Sequence, residues 1–233
     1  MPPRASKRKA NPTKSAPAKA PKVDSVRSAS SKGKAASKVT ECIDNLFSLY
    51  ANKSLGIIDP DGVEALCADL EVDHTDVRIL MLAWKMKANR QGYFTQDEWR
   101  VGLKALQVDS ITKLKKALPK LEAEVMMPAN FEDFYAFAFR YCLTEDKQKC
   151  LDIESICVLV DLVLGSQFRA QVNSFTEYLK SQGDYKVLNL DQWTNFLRFC
   201  QEISFPDLEG YDASQAWPVI LDNFVDWVKE KRS

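Results

Sequence analysis

Histidine is nearly missing from this chain: His74 is the one histidine among 233 residues. Any Ser/His or Cys/His catalytic constellation would have to be built around it, and its place at the expected start of a helix gives it a capping or surface role instead. Six cysteines (Cys42, Cys67, Cys142, Cys150, Cys157, Cys200) include no CxxC pair. With one histidine, that argues against a zinc site of usual spacing, and reduced, buried thiols are expected. GxGxxG, Walker and GxSxG patterns do not occur, so a phosphate cradle or nucleophile elbow is not expected. No apolar run approaches the length of a membrane span, and no signal peptide is expected. The expectation is a protein without cofactor or metal, not bound to membrane, and monomeric.

The formal net charge of zero hides a division. Residues 1–38 hold eleven Lys/Arg and one acid, about +10; the remaining 21 basic and 31 acidic residues give about −10. The 1–38 stretch is Lys, Ala, Pro and Ser with few large apolar side chains, so it is expected to be disordered. Its cluster Arg4, Lys7, Arg8, Lys9 fits a nuclear-import patch, placing the protein in nucleus and cytoplasm. KSAPAKAPK is similar to linker-histone tails, which allows weak, salt-sensitive nucleic-acid contact. A tail that only solubilises is the plain alternative. An organelle transit peptide is disfavoured by the excess of Lys over Arg.

From residue 39 the pattern is helical. The fold class is all-α, in two helical halves at 39–125 and 126–233, with a seam near Met126–Asn130. Apolar periodicity predicts helices over Val39–Tyr50, from Pro60, over His74–Lys87, Gln96–Leu106, Ser110–Glu124, Phe131–Cys142, Ile153–Leu164, Phe168–Gln182, Asp191–Ile203 and Ala216–Lys231. Thr95 with Glu98 reads as a capping box. In the last of these, Trp217, Ile220, Leu221, Phe224, Val225 and Val228 form one apolar stripe.

Lys87–Glu98 has the outline of an EF-hand loop, with Gly92 at position six, Phe94 at eight and Glu98 at twelve. Its ligands fail: Lys87 puts an ammonium at position one, and Asn89 and Gln91 follow. Ala51–Gly62 repeats the outline with Gly56 and Ile58. Two helix–loop–helix units paired without calcium are expected.

The C-terminal region is acidic. Between Asn189 and Val228 the one basic side chain is Arg198, against Asp191, Glu202, Asp207, Glu209, Asp212, Asp222 and Asp226. Acidic pairs one turn apart are usually solvated rather than catalytic, Asp191 suits a helix's first turn by its charge alone, and Ala216 before Pro218 suits a small packed residue. Together on one surface they suit a dock for a basic partner.

LCADLEVD (66–73), LAWKMKANRQGYFTQDEW (82–99), DSITKLKKALPKL (109–121), FEDFYAFAF (131–139), LDIESICVLVDLVLG (151–165) and YDASQAWPVILDNFVDW (211–227) resemble, in order, the potentiating-neddylation domain of the defective-in-cullin-neddylation family. That resemblance implies a paired EF-hand-like half without calcium, then a second helical half. It implies a non-catalytic, ligase-like scaffold that brings a cullin and the neddylation conjugating enzyme together. The family's cullin patch falls on Asp191, Ala216 and Asp222, with Asp207 beside it, facing the cullin's basic C-terminal winged-helix region. The pocket for the conjugating enzyme's acetylated N-terminus falls on Val63, Ile79, Leu82, Ala83, Gln91 and Gly92. Gly92 replaces a larger residue of some relatives. Some members carry a ubiquitin-associated module near the N-terminus, for which this chain has no room. The alternative to the scaffold is a nuclear adaptor that binds another basic partner, with its tail on chromatin.

Overall fold

The computed structural model describes residues 28–232, with side chains from Ala36 onward. Residues 1–27 lie outside it, and with them the import patch Arg4, Lys7, Arg8, Lys9 and most of the 1–38 stretch read as disordered; residues 28–38 of that stretch belong to a helix. Among the described residues there are ten helices and four short strands. The body from Lys38 is one compact unit, and none of the described helices is long and apolar enough to cross a membrane.

The first half is α1 (Ser28–Tyr50), β1 (Ala51–Asn52), β2 (Ile57–Ile58), α2 (Pro60–Leu70), α3 (Val77–Met86), α4 (Gln96–Leu106) and α5 (Ile111–Val125). Helix α1 starts at Ser28 rather than Val39, because Lys and Ala, good helix formers, precede its apolar face. Gly56 closes the first loop with φ +68° and Gly92 the second with φ +76°; only glycine enters this left-handed region without cost. The two loops are joined at their eighth positions. Ile58 and Phe94 exchange both backbone hydrogen bonds, each 2.9 Å, and both side chains are buried. Thr95 accepts from the Glu98 N–H while Glu98 accepts from the Thr95 N–H, the expected capping box. Glu98 spends its other oxygen on the Asn89 N–H at 2.9 Å. The loop's own donors therefore occupy the carboxylate that a calcium loop offers to its ion. Thr95→Ala is expected to cost about 1 kcal/mol, measured as a lower urea midpoint at unchanged slope.

The second half is α6 (Pro128–Tyr141), β3 (Cys150–Asp152), α7 (Ile153–Leu164), α8 (Arg169–Ser181), β4 (Val187–Asn189), α9 (Leu190–Glu202) and α10 (Val219–Arg232). It repeats the device of the first half. Antiparallel β3 and β4 pair Leu151 with Leu188 and hold together the loops that enter α7 and α9. Met126 and Met127 separate α5 from α6, where Pro128 fits the first turn because its missing N–H is not needed there.

One hydrophobic core runs from Ile43 to Val228. Its two largest fully buried side chains are indoles with satisfied N–H groups: Trp99 donates to the Ile43 carbonyl at 3.1 Å and Trp193 to that of Tyr135 at 2.9 Å. Trp193 also stacks on Tyr135 with ring centroids 4.3 Å apart.

Besides α1, and α6, which starts at Pro128 rather than Phe131, other helix starts depart from the expected pattern. Helix α3 begins at Val77, capped by Asp76, whose carboxylate accepts from the Arg78 N–H; His74 is exposed in the preceding loop, so it caps nothing. Ser110 stands at the head of α5 without a side-chain capping bond. Helix α10 begins at Val219, not Ala216: Pro218 accepts the first turn's hydrogen bond from Leu221, and residues before a proline are pushed out of helical conformation.

Candidate functional site

Two features of the body answer to the expected site residues: an acidic ledge built by α9 and α10, and an apolar cavity where the two halves of the chain meet.

The ledge starts at Asp191 in the first turn of α9, exposed, its carboxylate accepting from the Asn195 amide at 3.2 Å. Asn195 and Arg198 follow on the same face, one turn apart each. Arg198 is tied down three ways. Its guanidinium donates to Glu202 at 3.0 Å and to the Gln215 amide oxygen at 3.0 Å, and it lies 4.1 Å above the Trp217 ring. Tyr211 stacks on the other neighbourhood of Trp217, ring centroids 6.2 Å apart, and donates its hydroxyl to Asp222 in the first turn of α10. One helix face thus carries Asp191, Asn195 and Arg198, and contacts run on from Arg198 through Gln215, Trp217 and Tyr211 to Asp222, with exposed Ala216 between Gln215 and Trp217. Beneath it Phe199 packs edge-on against both Trp217 and Phe224. Burial, then the bond to Asp222, pushes the Tyr211 hydroxyl well above its ordinary range, so it stays a donor at physiological pH. The chain's own cations nearby engage other carboxylates: Arg198 holds Glu202, Lys229 holds Asp226, Lys231 holds Glu177. Asp207 is exposed in the α9–α10 connection, accepting from the Glu209 N–H at 3.3 Å.

The cavity has a volume of about 200 Å³. Five of the six expected residues line it: Val63 from α2, Ile79 and Ala83 from α3, and Gln91 and Gly92 from the second loop. Leu82 does not; it is fully buried in the core, because one residue along a helix turns the side chain about 100° away from Ala83. Tyr141, Cys142, Leu159 and Leu162 add the wall from the second half, and His74, Thr75 and Asp76 from the turn before α3 give the cavity one polar side. Tyr141 accepts the Gly92 N–H at 3.2 Å, pinning the loop to α6. Burial pushes the Cys142 thiol up to about 11, which keeps it neutral and its wall apolar.

At the rim, Asp76 is held by the Arg78 guanidinium at 2.9 and 2.6 Å, which lowers its carboxyl below the usual range. Asp44, gripped by Arg100, and Asp152, capping α7 through the Ser155 N–H, are lowered likewise. A carboxyl with a depressed folded value stabilises above its unfolded value of about 4 and loses that contribution as pH falls through the folded value. The melting temperature is therefore expected to be flat from pH 7 to about 5 and to drop below about 4; Asp76→Asn should lower the plateau and flatten the acid limb in a scan of melting against pH.

Among the described residues no group of three or more His, Cys, Asp or Glu side chains is placed to hold a metal. His74 stands 3.6 Å from Asp73 with both side chains mostly in solvent.

A family described as Cullin binding matches residues 113–227, the segment that carries the ledge. Human DCN1-like protein 5 is 36% identical over 177 residues, covering 76% of this chain and 73% of the relative. Drosophila melanogaster DCN1-like protein 4 is 38% identical over 176 residues, covering 76% and 69%. The chain belongs to the DCN1-like, cullin-binding family. Human DCN1-like protein 4, another DCN1-like relative, is 39% identical over 176 residues, and the match spans 59% of its length.

Proposed function

We propose that this chain is a non-catalytic docking protein that binds a cullin on the acidic ledge and the neddylation conjugating enzyme in the apolar cavity, and so promotes transfer of the ubiquitin-like modifier to the cullin. The observation that carries this reading is the ledge itself: Asp191 on the exposed face of α9 and Asp222 at the head of α10, with the contacts from Arg198 through Trp217 and Tyr211 bracing the surface between them. It presents two carboxylates and a small residue on a braced surface whose cation, Arg198, is already engaged. Lys and Arg on a cullin's winged-helix tip would pair with Asp191 and Asp222. Ala216 keeps the surface between them shallow enough for close approach, and exposed Asp207 adds to the negative field.

The cavity suits an acetylated N-terminus for a physical reason. Acetylation removes the terminal charge, and an apolar lining of Val63, Ile79, Ala83 and Leu162 penalises an unpaired charge far more than a neutral amide. A Cβ at Gly92 would stand in ordinary contact with Pro60, 3.7 Å away, so the left-handed backbone rather than lack of room favours glycine there. The rate gain is one of proximity: holding donor and acceptor on one body makes a bimolecular transfer local and restricts its orientation. The reacting groups belong to the partners.

The test is a reconstituted cullin-modification assay with and without the protein; stimulation supports the reading and an unchanged rate defeats it. Deleting residues 1–27, which leaves α1 whole, should preserve the stimulation, whereas a chromatin-tethered adaptor would lose its main activity. Ile79→Glu should weaken binding of the acetylated enzyme peptide by about tenfold or more, read by fluorescence anisotropy, with helicity unchanged by circular dichroism.

A further inference from the structure

A second, larger cleft of about 730 Å³ lies between α3, α4 and α6, and neither docking role above uses it. We propose that it binds an acidic protein segment carrying a bulky apolar side chain. The inference does not rest on cullin docking or on the smaller cavity.

The floor is aromatic and rigid. Trp84 is half-buried; its indole N–H donates to Asp133 at 2.8 Å and its ring meets Phe134 edge-on at 86°. Phe137 stacks on buried Tyr141 with centroids 5.2 Å apart. Val101 on α4, 45% exposed, extends the apolar surface. Fixed aromatic side chains at the base of a concave site are what anchors a large apolar residue with little entropy to lose.

The rim is cationic. Lys85, Lys87 and Arg140 stand on it against one acid, Asp133. Lys85 is held by Glu124 and Asp133 accepts the Trp84 indole. Lys87, at the left-handed end of α3, and Arg140, in the last turn of α6, are both exposed and enter no ion pair among the described residues. Two unpaired cations flanking an aromatic floor reverse the local sign on a body that carries about −10. Such a reversal steers an acidic segment to this cleft and away from the rest of the surface. Two free cations would neutralise few phosphates, and the concave floor gives no stacking row, so a nucleic acid is a poor fit.

The test is an amide NMR titration of the full chain with a synthetic peptide of glutamates around a central leucine–phenylalanine pair. Its controls are the same peptide with lysines for glutamates, and a single-stranded oligonucleotide. The expected result is saturable shifts at Ala88, Asn89, Val101, Arg140 and Tyr141 with the acidic peptide alone. The affinity read at these signals should fall about tenfold in Lys87→Glu/Arg140→Glu and less in Lys87→Gln/Arg140→Gln. Unshifted remote amides report that the fold is intact. Shifts confined to the basic segment 1–38, equal binding of the lysine peptide or the oligonucleotide, or unchanged affinity in the charge-reversed variant each overturn the proposal.

Discussion

Reversing both ledge carboxylates, Asp191→Lys with Asp222→Lys, is expected to bring cullin modification in a reconstituted assay down to the rate without the protein. Asp191 is exposed and Asp222 is half-buried under Tyr211. The new lysines would therefore meet the partner's cations at close range instead of turning away. Removing one side of a hydrogen-bonded charge pair costs roughly 2–5 kcal/mol, and like-charge repulsion adds to it, so cullin affinity should fall by a factor of roughly thirty or more. Ala216→Arg should act by obstruction with a comparable loss. Neither change enters the core, so helicity by circular dichroism should be kept; the double reversal should lower the melting midpoint modestly, because it removes the Tyr211–Asp222 bond and puts cations in two helix first turns. A doubly reversed protein that still stimulates transfer at the parent rate would remove the ledge from the mechanism.

Phe224→Ala is expected to be the most damaging single change away from the ledge surface. Phe224 is fully buried and meets four rings: Phe175 and Phe199 edge-on, Tyr178 and Trp227 at centroid distances of 5.6 and 6.4 Å. Truncation removes the transfer energy of the ring and leaves a hole that the stacked Phe175–Phe196 pair, centroids 3.9 Å apart, is too rigid to fill. The cost is about 3–5 kcal/mol, a large part of the roughly 5–15 kcal/mol that holds a domain together. Because Phe224 is also the floor under Trp217 through Phe199, the loss should carry cullin binding with it. Val219→Ala, at a position 66% exposed in the same helix, should change stability by less than about 0.5 kcal/mol. Urea unfolding of the two variants against the parent checks both figures; a Phe224→Ala midpoint close to that of Val219→Ala would contradict the packing described for α10.

Much of this was legible in the sequence because it rests on local rules. Thr95 with Glu98 announces α4, the interval Ile153–Leu164 is α7 to the residue, and all six members of the C-terminal stripe are buried, five on α10 and Trp217 just before it. The glycines at the sixth loop positions signalled left-handed turns, and both are. Contacts between distant segments were not legible. Periodicity could not reveal that Tyr211 holds Asp222, or that Arg198 is fixed by Gln215 and the Trp217 ring, since each depends on how the connection between α9 and α10 folds back onto the two helices. For the same reason Tyr141, Cys142, Leu159 and Leu162, all from the second half, escaped notice as walls of the cavity beside Ile79. A finer signal existed for Leu82: its neighbours Ile79 and Ala83 share a face at helical spacing and it does not. The start expected at His74 came too early because Asp76, two residues on, is the better N-cap, which leaves His74 with the surface role.

Calorimetric titration of the full chain with a cullin C-terminal winged-helix domain measures the ledge most directly. The expected result is one saturable site whose affinity falls steeply with added salt and disappears in Asp191→Lys/Asp222→Lys. A flat titration, or an affinity equal in the parent and the charge-reversed protein, contradicts docking on this surface.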